Sequence, residues 1–194
     1  MIVPTITRAL RTSAPRRIPA AASFAARSFH STRPAFIKVG DPLPDLDALQ
    51  EGSPGNKVNL ANEASRLNSM IILGVPAAFS PSCSATHIPG FMQHPKTKDY
   101  DQVAVVSVND VFVMKAWGAD LDPSSDFGVR FLADPEGKFT KAMDMGFVNE
   151  PIFGGLRSRR YSIIVENGKV KSINVEPDHT GTSVSLAQHV LGSA

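Results

Sequence analysis

The sequence predicts an α/β fold: a mixed central sheet with helices on both faces. Two near-continuous apolar runs, residues 70–75 and 103–108, read as strands buried on both sides. Helical and strand segments alternate around them. Asn167-Gly168 then closes an antiparallel hairpin between residues 161–165 and 170–175. Alternation followed by a hairpin implies a sheet of mixed direction.

Residues 1–34 are rich in Arg, Ser and Ala and hold no Asp or Glu. Ile2, Val3, Ile6 and Leu10 share one helical face, with Arg8 and Arg11 off it. This is the composition of a mitochondrial transit peptide. Arg27-Ser28-Phe29-His30-Ser31-Thr32 resembles matrix-protease cleavage contexts. The mature chain is expected to begin between His30 and Phe36 in the matrix, with one folded domain over residues 35–194. The competing reading is a disordered basic arm. A secretory signal is disfavoured, because Arg8, Arg11, Arg16 and Arg17 break up any apolar core. The end of the chain, Gly192-Ser193-Ala194, is not a peroxisomal signal.

Charge is unevenly placed. Residues 1–40 carry six Arg, one Lys and no acid, a charge of +7, whereas the remainder has 13 basic and 18 acidic residues, a charge of −5. The folded part is mildly acidic and gives no case for nucleic-acid binding. No apolar run approaches the roughly 20 residues that span a membrane. One cysteine in 194 residues excludes an intramolecular disulfide and a multi-cysteine metal site. The five histidines show no ligand spacing, so neither metal nor cofactor is implied.

The remaining elements follow in order. Residues 36–69 read as an irregular opening segment, with Pro42 and Pro44 as breakers and residues 52–56 as a turn. Residues 57–60 suggest an edge strand and 62–67 a short helix. A helix holding Cys83 ends before Pro95. Asp110 caps a helix running through Trp117. Residues 122–126 form a loop, 130–133 a short strand, 139–143 a helix, and 183–191 a last helix.

The apolar run 70–73 leads directly into Gly74-Val75-Pro76, and a helix start follows it. Ser80 and Ser82 can cap free N–H groups, and Pro81 suits a first turn. The lone cysteine, Cys83, is thus expected at a helix N-terminus just beyond a core strand. The free donors and partial positive charge there stabilise a thiolate.

Pro76, Ser80 and Cys83 match the peroxiredoxin pattern Pro-x3-Thr/Ser-x2-Cys. The flanks Gly74-Val75-Pro76 and Thr86-His87-Ile88-Pro89-Gly90-Phe91 resemble the atypical, type II (peroxiredoxin-5-like) subfamily. The resemblance extends from about Phe36 to the C-terminus. It includes Val108-Asn109-Asp110, Ala116-Trp117-Gly118, Arg159-Arg160-Tyr161-Ser162 and Asn174-Val175-Glu176-Pro177-Asp178.

The resemblance implies a thioredoxin-like fold and a thiol-dependent peroxidase acting on hydrogen peroxide and organic hydroperoxides. Cys83 is then the peroxidatic cysteine. Ser80 hydrogen-bonds the thiolate or the peroxide, and Pro76 shields the sulfur. Arg160, ahead of Arg157 and Arg159, is the cationic partner. His87, one turn after Cys83, either lines the pocket or serves in packing. The resemblance also implies a homodimer. In many animal members a resolving cysteine follows the Asn-Val-Glu-Pro-Asp segment; here the aligned position is Val184. A one-cysteine cycle follows, with Cys83 sulfenic acid reduced by an external thiol, either glutathione with glutaredoxin or thioredoxin. Two other classes compete. One is a cysteine hydrolase using Cys83 and His87, for which nothing marks an orienting carboxylate. The other is a non-catalytic redox sensor or interaction module, which would react once rather than turn over.

Overall fold

The computed structural model describes residues 36–193, so the leader and its cleavage site lie outside the described residues. The strands are β1 (Leu49–Glu51), β2 (Ser53–Val58), β3 (Ser69–Val75), β4 (Gln102–Ser107), β5 (Val129–Ala133), β6 (Gly146–Val148), β7 (Leu156–Ser158), β8 (Tyr161–Glu166) and β9 (Lys169–Val175). The α-helices are α1 (Leu60–Ala64), α2 (Ile88–Gln93), α3 (Val111–Leu121), α4 (Lys138–Ala142), α5 (Glu150–Phe153) and α6 (Ala187–Val190).

Seven strands form one sheet in the order β2-β1-β5-β4-β3-β8-β9. β3, β4 and β5 run parallel, and β8 joins β3 antiparallel. The mixed sheet expected from the sequence is therefore present, in the thioredoxin-like arrangement. Period-two alternation divides its side chains between two cores. Met70, Ile72, Ala104 and Val106 face α1 and α4, with Leu60 and Phe139. Ile71, Leu73, Val103 and Val105 face α2, α3 and α6, with Phe91, Trp117 and Ala187. Each fully buried Ile, Leu or Phe contributes roughly 1.5–3 kcal/mol of transfer free energy, which makes β3 a rigid base for whatever follows it. Gly74 lets this strand lie against the Tyr161 ring. A Cβ at position 74 would fall 2.1 Å from that ring, so no other residue fits without shifting it.

Several sequence expectations need correction. The turn assigned to residues 52–56 is only Gly52, at φ 70°, and residues 53–58 form β2. Pro54 is compatible with a strand because β2 lies at the sheet edge. Leu60 opens α1 instead of ending a strand, because Asn59 caps the backbone N–H groups of Ala61 and Asn62. The small sheet β6–β7 and helix α5 were not anticipated. The last helix is much shorter than residues 183–191, and residues 183–185 turn inward onto Glu176. Asp110 does cap α3, accepting from the N–H groups of Phe112 and Val113, but the helix continues past Trp117 to Leu121.

Candidate active site

β3 and β8 place two distant parts of the chain side by side. Gly74 pairs with Tyr161, so the residue after β3 and the residue before β8 meet at the same end of the sheet. Pro76 and Arg160 occupy those positions, and both are buried.

From Pro76 the chain runs through a short loop to the helix start. Asn109 holds the loop, its Oδ1 accepting from the N–H of Ala78 at 3.1 Å. Ser107 Oγ stands 2.7 Å from the same oxygen. Phe79, in the loop, adopts a left-handed φ of 60°, which is strained for a bulky residue. Cys83 to His87 then wind as a π-helical turn, with the Ile88 N–H donating to the Cys83 carbonyl. Such turns are rare and concentrate at functional sites.

The expected capping differs in detail. Ser82 makes no side-chain cap bond. Ser80 accepts from the Ser84 N–H through its carbonyl at 3.0 Å, which frees its hydroxyl to donate to Cys83 Sγ at 2.8 Å. Trp117 Nε1 donates to Ser84 Oγ at 3.0 Å and fixes the helix against α3.

Arg160 Nη1 donates to Cys83 Sγ at 3.2 Å. Arg160 is only 2% exposed, and its guanidinium is aimed by the Thr180 carbonyl, which accepts from Nε at 3.1 Å and Nη2 at 3.0 Å. Arg157 is committed elsewhere, to the carbonyls of Val108 and Phe153. Two donors thus converge on one buried sulfur, and both stabilise negative charge there.

His87 is fully buried in the same cluster. Its Nδ1 lies 3.4 Å from Arg160 Nη1, and its Nε2 lies 3.2 Å from both the Ser185 carbonyl and Ser162 Oγ. These partners assign a neutral ring with the proton on Nε2, because a carbonyl can only accept and a guanidinium can only donate. Burial, followed by the Arg160 charge, pulls the imidazole pKa down to about 3. His87 therefore braces the arginine and has no place as a base for a hydrolase. The sequence left His87 between lining the pocket and packing; its bracing of Arg160 depends on a residue 73 positions away that the spacing from Cys83 does not report.

A base with a depressed folded pKa stays neutral where the unfolded chain takes up a proton. Between the ordinary value of 6.5 and about 3, acid therefore favours unfolding. Stability measured by urea melts should fall as pH drops through that window. A His87→Gln variant should show a flatter profile there. An unchanged slope in the variant would contradict the burial of a neutral imidazole.

The Redoxin family profile matches residues 38–191. Peroxisomal membrane associated protein 20 of Schizosaccharomyces pombe is 41% identical over 161 residues, covering 81% of this chain and 99% of its own. Chloroplastic peroxiredoxin-2E of Arabidopsis thaliana is 37% identical over 172 residues, covering 84% and 73%. Among solved structures, reduced Prx3 of Vibrio vulnificus in complex with hydrogen peroxide superposes with a TM-score of 0.71 at 34% identity, covering 80% of this chain and 94% of that one. The chain belongs to the Redoxin family. Within that family it is a peroxiredoxin, a thiol-dependent peroxidase.

Proposed function

We propose that Cys83 is the peroxidatic cysteine, in a one-cysteine cycle of the peroxiredoxin-5-like type completed by an external thiol. The supporting observation is the convergence of Ser80 Oγ and Arg160 Nη1 on Cys83 Sγ, at 2.8 and 3.2 Å. In the first step the thiolate attacks one oxygen of hydrogen peroxide or an organic hydroperoxide. The S–O bond forms as O–O breaks, sulfur gives up two electrons, and the second oxygen leaves as water or alcohol after gaining a proton. Arg160 and Ser80 stabilise the charge passing from sulfur to the leaving oxygen. Pro76, buried at the loop's start, keeps bulk water from the sulfur and the backbone fixed. One external thiol then condenses with the sulfenic acid to a mixed disulfide and releases water. A second thiol displaces it and regenerates Cys83.

Cys83 has no exposed surface, so the site must open to admit a thiol. Val184 stands where a resolving cysteine would be, which supports an external donor. A steady-state assay with hydrogen peroxide should show turnover with glutathione and glutaredoxin or with thioredoxin. Reaction of one equivalent only, with either donor, would instead support the sensor reading.

A mitochondrial matrix location rests on the leader's composition; the two relatives above carry peroxisomal and chloroplastic names. A homodimer is supported by Phe79, Phe112, Val148 and Ile152, 54–70% exposed. Hydrogen bonds of Ala78 to Asn109, and of Arg157 to Val108 and Phe153, tie the segments bearing these residues together. Exposed apolar side chains grouped in this way suit a self-complementary contact. Among the described residues, no helix is long and apolar enough to cross a membrane.

A further inference from the structure

Glu176 follows β9 and is 1% exposed. A carboxylate so deeply placed is costly unless donors surround it. Here there are five. Oε1 accepts from the N–H groups of Ser183, Val184 and Ser185 at 2.8, 2.9 and 2.8 Å, and from Ser185 Oγ at 2.7 Å. Oε2 accepts from Ser183 Oγ at 2.6 Å. These bonds close residues 177–185 into a fixed loop.

The carbonyls of that loop point back at the site. The His179 carbonyl accepts from the Arg160 backbone N–H at 2.7 Å. The Thr180 carbonyl holds two nitrogens of the Arg160 guanidinium, and the Ser185 carbonyl holds His87 Nε2. The turn between them is strained and specific. His179 has a left-handed φ of 73°, and Asp178 Oδ1 accepts from Thr180 and Gly181. Gly181 has no room for a Cβ, which would lie 2.7 Å from Asp178 Oδ1.

We propose that Glu176 is a positioning residue for the chemistry at Cys83. Its buried carboxylate shapes the loop whose carbonyls aim Arg160 at the sulfur and fix the His87 ring that braces it. Desolvation opposes ionisation of this group, but the Ser183 and Ser185 hydrogen bonds outweigh it and hold the carboxyl near a pKa of about 2. The charge is thus present throughout the neutral range. This inference rests on the assignment of Cys83 and Arg160 above.

The test is a double-mutant cycle on the full-length mature protein. Its readout is the second-order rate of reaction with hydrogen peroxide, followed by the fluorescence of the single tryptophan, Trp117. Glu176→Gln keeps the shape and removes the charge. It should slow the reaction roughly 10- to 100-fold, the range expected when a reacting group is displaced by a fraction of an ångström to one ångström. In an Arg160→Ala background the same change should cost less than about two-fold, because the group it positions is gone. An undiminished rate in Glu176→Gln, or an equal loss in both backgrounds, would overturn the proposal and leave Glu176 as a stabiliser of the fold only. An unaffected Arg160→Ala single variant would overturn the Arg160 assignment itself. If Glu176→Gln does not fold, Ser185→Ala, which removes one of the five donors' side chains, carries the same cycle. A smaller, equally non-additive loss is then expected, and an additive one overturns the proposal.

Discussion

Cys83→Ser is expected to reduce peroxide-dependent thiol oxidation to the uncatalysed rate. The described geometry puts two donors on Cys83 Sγ, and the chain holds no second cysteine to substitute for it. A serine hydroxyl is far less acidic than a thiol, and its oxygen cannot take up peroxide oxygen as sulfur does to form a sulfenic acid. The swap is close in volume, so the fold should persist with its thermal midpoint nearly unchanged. Activity is checked with hydrogen peroxide and a saturating thiol donor, beside a melting curve. A folded variant that retains turnover would eliminate Cys83 as the reacting group.

Arg160→Ala is expected to slow the first reaction with peroxide by about 10²- to 10³-fold, as when one preorganised donor to a developing charge is removed. Arg160 is 2% exposed, and its guanidinium is already oriented by Thr180. On the proposed assignment it would stabilise the transition state without reorganising. Arg160→Lys should recover only part of the loss, because a point charge cannot both bond Thr180 twice and reach the sulfur. Removing the side chain also leaves the Thr180 carbonyl and His87 Nδ1 without their partner, so some destabilisation, about 1–3 kcal/mol, accompanies the kinetic effect. Stopped-flow rates separate the two, since the reaction is read on protein that is still folded. A rate within two-fold of the parent would remove Arg160 from the mechanism.

Much of this arrangement was legible from residues alone. The strands β3 and β4 announced themselves as apolar runs, and Asn167-Gly168 marked the β8–β9 hairpin, with φ of 49° and 75° as that turn demands. The place of Cys83 followed from a strand leading into a helix start. The pairing of Arg160 with Cys83, across 77 positions, came from family resemblance, since no local pattern reports a partner strand. What stayed hidden was set by tertiary contact. β2 contains Pro54 and Gly55, which locally favour a turn, and it exists because β1 offers an edge. The sheet of β6 and β7 has three residues per strand, too few for a periodic signal. The long terminal helix expected over residues 183–191 loses its first turn to the Glu176 carboxylate, a competitor 7 to 9 positions earlier. For the same reason the loop's grip on Arg160 and His87 could not be read from a helical pattern.

The central claim is that peroxide oxygen is first transferred to one buried sulfur. The most direct measurement is mass spectrometry of the mature protein after one equivalent of hydrogen peroxide, with a reagent that traps sulfenic acids. The account predicts stoichiometric trapping at Cys83, lost in Cys83→Ser and delayed in Arg160→Ala. Consumption of peroxide with Cys83 left unmodified, or oxygen found only on methionines, would contradict it.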